Sequence, residues 1–129
     1  MIKIKNEEEL EGMRQAGLVT AKVRDAVCKK AAPGLTTGDL DAYAAQLISE
    51  LGGESAFLGY HGFPGHICSS VNDEIVHGIP GDRVIETGDV VSLDFGVRYN
   101  GFIGDSAITV MVGVTDPEVM RLLQVTDQA

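Results

Sequence analysis

The chain has little of several residue types whose abundance would indicate a particular class of protein. Its 129 residues include no tryptophan and only two cysteines, Cys28 and Cys68. The cysteines lack CxxC spacing and a secretory context, so we expect free thiols. No run of about 18 apolar residues is present, so we expect no membrane span. The N-terminal MIKIKNEEEL lacks the apolar core of a signal peptide, which predicts a cytoplasmic protein.

Positive charge is also scarce, with 10 lysines and arginines against 19 acidic residues and a net charge of −9. A nucleic-acid-binding protein needs a basic face, so the composition argues against a direct nucleic-acid partner. The content of 44% apolar and 22% charged residues is ordinary for a globular protein. A chain of this length is predicted to form one domain with its own core.

Helical patterns occupy the N-terminal part of the chain and its last residues. A first helix is predicted over about 7–31, because Asn6 and Glu9 form a capping-box pattern and Pro33-Gly34 ends it. A second helix is predicted from Thr36 or Thr37 to Gly52-Gly53. A third is predicted after Thr115 or Asp116, with Pro117 in its first turn. The predicted apolar stripe of the first helix is Leu10, Met13, Gly17, Val19, Val23 and Val27, and that of the second is Leu40, Tyr43, Ala44, Leu47, Ile48 and Leu51.

The helical period disappears between residues 54 and 113, where glycine and apolar residues form strand and turn patterns. Short strands are predicted near 66–71 and 74–78, with a turn over 79–82. The stretch VVSLDFGVRYNGFIGDSAITV at 90–110 then reads as two strands joined by a turn. Two helices, several strands and a further helix predict an α+β fold with helices on one side of a mostly antiparallel sheet.

The register of this hairpin is predicted by Asn100-Gly101, a strong signal for a two-residue type I′ turn. Gly96 then faces Asp105, and Asp94 faces Ala107. Since side chains alternate across a sheet, Asp94 and Asp105 lie diagonally on one face, about 7–8 Å apart at the backbone. The opposite face carries apolar residues and is predicted to be the core face, covered by the helices.

Two like charges at this range repel, and a divalent cation between them would remove the conflict. A metal site held by Asp94 and Asp105 is therefore one hypothesis. The alternatives are that both carboxylates are solvated on an open face, or that one of them pairs with Arg98. His77, just before the predicted turn, is a second candidate for chemistry, although a single histidine is often structural.

The segments LGYHGFPGHICSSVNDEIVHGIPG and GDVVSLDFGVRYNGFIGDSAITVMVG resemble the type I methionine aminopeptidases. The resemblance covers the whole chain, since KNEEELEGMRQAG and PGLTTGDLD are similar to the starts of the family's first two helices. The hairpin motifs alone would fit the wider aminopeptidase P and creatinase-like superfamily, and VNDEIVHGIP favours the methionine branch. The resemblance implies the N-terminal half of a "pita-bread" fold, with two helices on a curved, mostly antiparallel sheet.

The resemblance further implies a two-metal hydrolase that removes the initiator methionine from nascent chains. Asp94 and Asp105 would be metal ligands, and His77 would contact the substrate beside the scissile bond. The pocket for the methionine side chain would be lined by Tyr60, His61, Phe63 and Cys68, with Phe57 adjacent. Two divalent ions occupy the complete site, and the residues present would accept Co²⁺, Mn²⁺, Fe²⁺ or Zn²⁺.

The family's domain is about twice this length, and its second half supplies a histidine and two glutamates to the metals. Residues 1–129 are therefore expected to be the N-terminal half of such a catalytic domain. Three hypotheses follow: a truncated or proteolysed N-terminal half of an aminopeptidase, a stand-alone half domain that dimerises and has weak or no activity, or a non-catalytic module that binds peptide N-termini. Self-association or pairing with a missing C-terminal half is the corresponding expectation for partners. Two protein ligands rarely hold a catalytic metal tightly, so activity of this chain alone is doubtful.

Overall fold

A computed structural model describes residues 2–129, which form three α-helices around one antiparallel sheet. The helices are α1 (Glu7–Lys30), α2 (Thr37–Glu50) and α3 (Pro117–Gln128), and the strands are β1 (Glu54–Ser55), β2 (Ile67–Val71), β3 (Val90–Tyr99) and β4 (Phe102–Met111). A 3₁₀ turn at Tyr60–Gly62 lies between β1 and β2. The predicted α+β class is confirmed. No helix among the described residues is long and apolar enough to cross a membrane.

The first two helices begin where their capping residues predict. The Asn6 side chain accepts a hydrogen bond from the Glu9 amide at 2.9 Å, and the Glu9 carboxylate accepts one from the Asn6 amide at 3.0 Å. Thr36 and Asp39 make the same reciprocal pair at the start of α2. Each capping residue of this kind stabilises a helix by about 1 kcal/mol. The third helix begins at Pro117, with Asp116 as its N-cap.

The strand β3 is central in the sheet. It pairs with β4 along its whole length on one side, and with β1 and β2 on the other. The turn residues Asn100 and Gly101 have φ values of 49° and 83°, as a type I′ turn requires. Asp94 is opposite Ala107 and Gly96 is opposite Asp105, so the predicted register is confirmed.

The core lies between this sheet and the helices α1 and α2. Val91, Leu93, Phe95 and Val97, which alternate along β3, are completely buried. From the helices, the core receives Val19, Val23 and Val27 of α1 and Leu40, Ala44 and Ile48 of α2. The predicted core face of the hairpin is therefore the face that the helices cover. The opposite face, with Asp94 and Asp105, is left free of both helices.

One local prediction is wrong in part and another is wrong. In the predicted stripe of α1, Val19, Val23 and Val27 are buried as expected. Leu10 and Met13 of α1 are 43% and 40% exposed and Gly17 is exposed, because the buried stripe is shifted and runs through Ala16, Val19, Thr20, Val23 and Val27. The shift follows from Gly12, where a Cβ would lie only 2.7 Å from Cζ of Phe102, so that this glycine faces the sheet.

The second wrong prediction is the strand at 74–78, which forms no strand. Asn72 has a φ of 58°, and the Glu74 carboxylate accepts a hydrogen bond from the Val71 amide at 2.8 Å, so the chain turns immediately after β2. The segment beyond the turn returns to β2 only at Gly78, whose carbonyl accepts a hydrogen bond from the Ser69 amide. Ile75 and Val76 are consequently exposed.

Candidate active site

The two aspartates occupy the sheet face that α1 and α2 leave open. Asp94 lies near the middle of β3, and Asp105 lies on β4 opposite Gly96, two residue pairs further along the ladder. Asp94 is half-buried and Asp105 is exposed. Arg98 is on the same face but makes no ion pair among the described residues. The alternative in which Arg98 neutralises one of the carboxylates is therefore absent from the structure.

Asp94 is in an unfavourable environment for an isolated carboxylate. One oxygen, Oδ1, is buried and has no hydrogen-bond partner among the described residues. Burial raises the pKa of Asp94 above its ordinary value, and the nearby charge of Asp105 raises it further. His77 and the backbone amide of Phe95 act in the opposite direction. The fold thus holds a carboxylate with an unused acceptor beside a second carboxylate.

Cys68 lies on the neighbouring strand directly opposite Asp94. It is a free cysteine, as predicted, and is only 6% exposed. Burial raises the pKa of the thiol to about 11, with further contributions from Asp94 and Asp105. A thiol with this pKa is almost entirely protonated near neutral pH, so Cys68 offers an apolar, polarisable surface and reacts only slowly as a nucleophile.

The aromatic residues reach the same face from the loop between β1 and β2. The rings of Phe57 and Phe63 meet edge to face, with centroids 6.5 Å apart. Tyr60 and His61 also meet edge to face, at 4.4 Å. The edge-to-face arrangement is favourable for aromatic pairs. The loop therefore presents an aromatic wall beside the two carboxylates.

A cavity of about 580 Å³ lies between this wall and the sheet. It is lined by all of the candidate site residues: Phe57, Tyr60, His61, Phe63, Cys68, His77, Asp94 and Asp105. Gly62, Pro64 and Ile79 complete its lining. Residues that are up to 48 positions apart in the chain (57 to 105) are thus brought to one cavity, although their roles are not decided by this arrangement.

The two histidines of the cavity have an unusual backbone conformation. Four non-glycine residues in the described part of the chain have positive φ, namely His61, Asn72, His77 and Asn100. Both asparagines are in turns, and histidine adopts this conformation more often than most non-glycine residues, although each such residue still carries a cost. Strained backbone of this kind is enriched at functional sites. His77, with a φ of 59°, is held from its C-terminal side, because the Gly78 amide donates to the Ser70 hydroxyl at 3.0 Å.

A second cavity of about 640 Å³ adjoins the first and shares Cys68, His77 and Asp94 with it. Its other wall is formed by α3, through Met120 and Leu123. No residue of α3 is fully buried, and β4 pairs with no strand other than β3 in the described part of the chain. The carboxylates therefore lie between an aromatic cavity and a more open groove.

The residues present fit part of a metal site. Asp94 and Asp105 are the only carboxylates that line the first cavity. The orphaned Oδ1 of Asp94 is an acceptor that a cation would satisfy, and carboxylate oxygens suit Mn²⁺, Co²⁺, Fe²⁺ or Zn²⁺. Residues 2–129 contain no group of three or more histidine, cysteine or acidic side chains placed to hold a metal. A stable metal centre would therefore need further ligands.

Sequence reasoning missed the residues that support the cavity from behind. The Asp41 carboxylate on α2 accepts hydrogen bonds from the His66 amide at 2.6 Å, the Ile67 amide at 2.9 Å and the His66 ring at 2.8 Å. The His66 carbonyl in turn accepts a bond from the Ser55 hydroxyl at 3.0 Å. These contacts fix the start of β2 against the aromatic loop, and no sequence motif predicts them.

Known proteins are similar to this chain in sequence and in fold. The sequence profile described as metallopeptidase family M24 matches residues 11–129. Methionine aminopeptidase 1 of Bacillus subtilis strain 168 is 44% identical over 129 residues, which are 100% of this chain and 52% of that protein. The crystal structure of methionine aminopeptidase from Rickettsia prowazekii has a TM-score of 0.96 and 36% identity, over 99% of this chain and 52% of that one.

The same fold extends to more distant proteins. The prolidase from Pyrococcus furiosus has a TM-score of 0.83 at 22% identity, over 97% of this chain and 36% of that one, and this likeness concerns the fold alone. The predicted pita-bread architecture is thereby confirmed. The chain spans about half the length of the curated relatives it matches. With its profile match over 11–129, the chain belongs to metallopeptidase family M24.

Proposed function

We propose that this chain carries the N-terminal part of the active site of a metal-dependent aminopeptidase that removes the initiator methionine from nascent proteins in the cytoplasm. The observation that carries the proposal is the single cavity in which two carboxylates, two histidines, a buried thiol and an aromatic wall meet. Relatives that match the whole chain are named methionine aminopeptidases, which supports the methionine branch of the family.

The cavity residues divide into two groups under this proposal. Phe57, Tyr60, Phe63 and Cys68 surround the methionine side chain, because aromatic rings and a protonated thiol form an apolar, sulfur-tolerant surface. His77 and His61 are at the opening of this surface and are both exposed. From there, His77 donates a hydrogen bond to the amide that is cleaved, and its position beside Asp94 suits that role.

Asp94 and Asp105 are the proposed ligands from this chain, out of the larger set that two divalent ions require. Bound divalent ions would supply a hydroxide near neutral pH by lowering the pKa of a coordinated water. Within this chain, the contribution is positional: two strands with a fixed register hold both carboxylates on rigid backbone. The uncompensated Oδ1 of Asp94 supports its assignment as a ligand.

The proposal includes pairing with further polypeptide, either a complementary half or a second copy. The free edge of β4 is ten residues long and exposes Ile103 and Met111 at 41% and 43%. Apolar side chains on α3, such as Leu122 and Val125, are 65% and 56% exposed. An unpaired edge beside exposed apolar groups is a surface that another chain can cover.

The first test is metal binding by the chain itself, measured by isothermal titration with Mn²⁺. The parent is expected to bind weakly, because it supplies only two carboxylate ligands, and the Asp94→Asn, Asp105→Asn double variant is expected to lose this binding. Asp82→Asn is the matched control, since Asp82 is exposed and lines neither cavity. Equal binding by the parent and the double variant would show that the hairpin carboxylates are not ligands.

The second test concerns the activity. Residues 1–129 would replace the matched half of the Bacillus subtilis relative, and release of methionine from a Met-Gly peptide would be followed with Mn²⁺ or Co²⁺. The chimera is expected to turn over and the isolated chain is expected to be much slower. Binding of Met-Gly peptides without metal, together with an inactive but folded chimera, would favour a non-catalytic peptide-binding module.

A further inference from the structure

We propose that Gly96 determines the size of the side chain that the cavity admits, by providing the surface on β3 against which the Phe57 ring rests. The inference rests on the proposed function for the identity of that side chain as the first residue of a peptide. It adds a specificity residue that does not itself line the cavity.

The geometry at this contact is tight. Gly96 lies two residues after Asp94 and opposite Asp105, on the face that carries both carboxylates. A Cβ at Gly96 would lie 2.8 Å from Cδ1 and 3.0 Å from Cζ of Phe57, and it would also collide with Cε1. The ring therefore lies flat against a strand position that has no side chain, and any larger residue would displace it.

The backbone of Phe57 is fixed, so the ring has to absorb the displacement. The amide of the preceding Ala56 donates to the Gly96 carbonyl at 2.9 Å. The Phe57 amide donates to the Ser55 hydroxyl at 3.2 Å, and the Phe57 carbonyl accepts from the Tyr60 amide at 2.9 Å. These bonds hold the main chain beside β3 on both sides of the ring.

A ring lifted from the strand would move into the cavity, because the cavity is the space that Phe57 shares with Phe63 and the two carboxylates. Gly96→Ala is thus expected to reduce the space for a substrate side chain, because the three atoms nearest to the new Cβ all belong to the Phe57 ring. Size exclusion in apolar pockets commonly discriminates by one or two orders of magnitude. Truncation of the ring in Phe57→Ala should restore the lost space.

The contact is tested first by melting temperatures of the intact chain. Gly96→Ala is expected to lower the melting temperature by about 5 °C, and Phe57→Ala is expected to recover most of this loss when the two are combined. Gly104→Ala is the matched control on β4. A Cβ there would meet the Ala16 carbonyl on the helix-covered face, 2.5 Å away. The loss of melting temperature caused by Gly104→Ala should be unaffected by Phe57→Ala.

The space in the cavity is tested by the rate at which Cys68 reacts with methyl and benzyl methanethiosulfonate, followed by intact mass. Cys28, a half-buried thiol on α1 outside the cavity lining, is the internal reference. Gly96→Ala should slow the modification of Cys68 at least fivefold relative to that of Cys28, and the effect should be larger for the benzyl reagent. The double variant Gly96→Ala, Phe57→Ala should recover the rate of the parent.

Additive melting shifts, or unchanged Cys68 rates in Gly96→Ala, would overturn the inference. Neither measurement needs metal or turnover, so the result is independent of the aminopeptidase assay. If the chimera is inactive but the effects of Gly96→Ala and Phe57→Ala on the melting temperature are not additive, the proposed aminopeptidase activity is refuted. The proposed role of Gly96 in shaping the cavity is then still supported.

Discussion

The substitution Asp94→Asn should stabilise the chain in the absence of metal, although it removes a residue that we assign to the active site. Asp94 has one buried oxygen without a hydrogen-bond partner, and it faces the charge of Asp105. Both effects oppose folding when the carboxylate is ionised. Asparagine has nearly the same shape but no charge, so it relieves the repulsion and reduces the cost of burial.

The expected gain is about 1 kcal/mol. If the backbone spacing of about 7–8 Å is taken as the separation of the charges, they repel by about 0.5 kcal/mol in water and by about 2 kcal/mol at an effective dielectric of about 20. Asp105 is exposed, which places the repulsion near the lower value. Burial of an uncompensated charged group adds about 1 kcal/mol or more, and asparagine recovers only part of it because its own oxygen remains without a partner. For a chain of this length, 1 kcal/mol corresponds to about 3–5 °C in melting temperature.

The assay is thermal unfolding with and without Mn²⁺, with Asp82→Asn as the control for loss of one exposed charge. Without metal, Asp94→Asn should melt above the parent by more than the control does. With Mn²⁺ at about ten times its dissociation constant, the parent should gain about 1.4 kcal/mol and Asp94→Asn should gain nothing. A variant that melts below the parent without metal, or that gains as much from Mn²⁺, would refute the reasoning.

Three further predictions concern the supports of the site. Ser69 is 2% exposed and its hydroxyl has no hydrogen-bond partner among the described residues. Ser69→Ala should therefore raise the free energy of unfolding by about 1 kcal/mol in urea titrations. Ser70→Ala should lower it, because it removes the hydrogen bond from the Gly78 amide. Asp41→Ala should cost about 2–3 kcal/mol in the same assay, and Asp41→Asn should cost less because it keeps an acceptor for the two backbone amides. Hydrogen bonds from the Glu86 amide and the Asn72 side chain hold the pKa of Asp89 below 3.8, so Asp89 stabilises the fold above that pH and the stabilisation is lost as the pH falls. The melting temperatures of Asp89→Asn and the parent should therefore differ at pH 7 and approach each other as the pH falls below the ordinary pKa of aspartate.

The parts of the fold that could be predicted are those fixed by local chemistry. The register of the hairpin follows from Asn100-Gly101, since a two-residue turn leaves only one pairing of the strands. The diagonal placement of Asp94 and Asp105 follows from that register and from the alternation of side chains. The starts of α1 and α2 follow from their capping boxes.

The parts that could not be predicted depend on contacts between distant segments. The buried stripe of α1 is displaced because Gly12 receives the Phe102 ring, and periodicity alone assigns a glycine no side of a helix. The segment 74–78 has strand-like composition, but Asn72 turns the chain away from the sheet and leaves only the Gly78 contact with β2. In both places, tertiary packing overrides a plausible local pattern.

The candidate site shows the same division more sharply. The pattern of the hairpin suffices to place two carboxylates on one face, but it cannot show whether a cation, an arginine or water compensates them. Which of these compensates the charge depends on the surroundings of Asp94. They are formed by residues 57–63, more than 30 positions upstream, by Cys68 on β2, and by the segment that carries His77. Because Arg98 makes no ion pair and Oδ1 is left without a partner, the structure removes one alternative and strengthens the case for a cation. Under the proposed function, the stability cost at Asp94, with its buried unpartnered oxygen beside the charge of Asp105, is the consequence expected of a position that binds a metal.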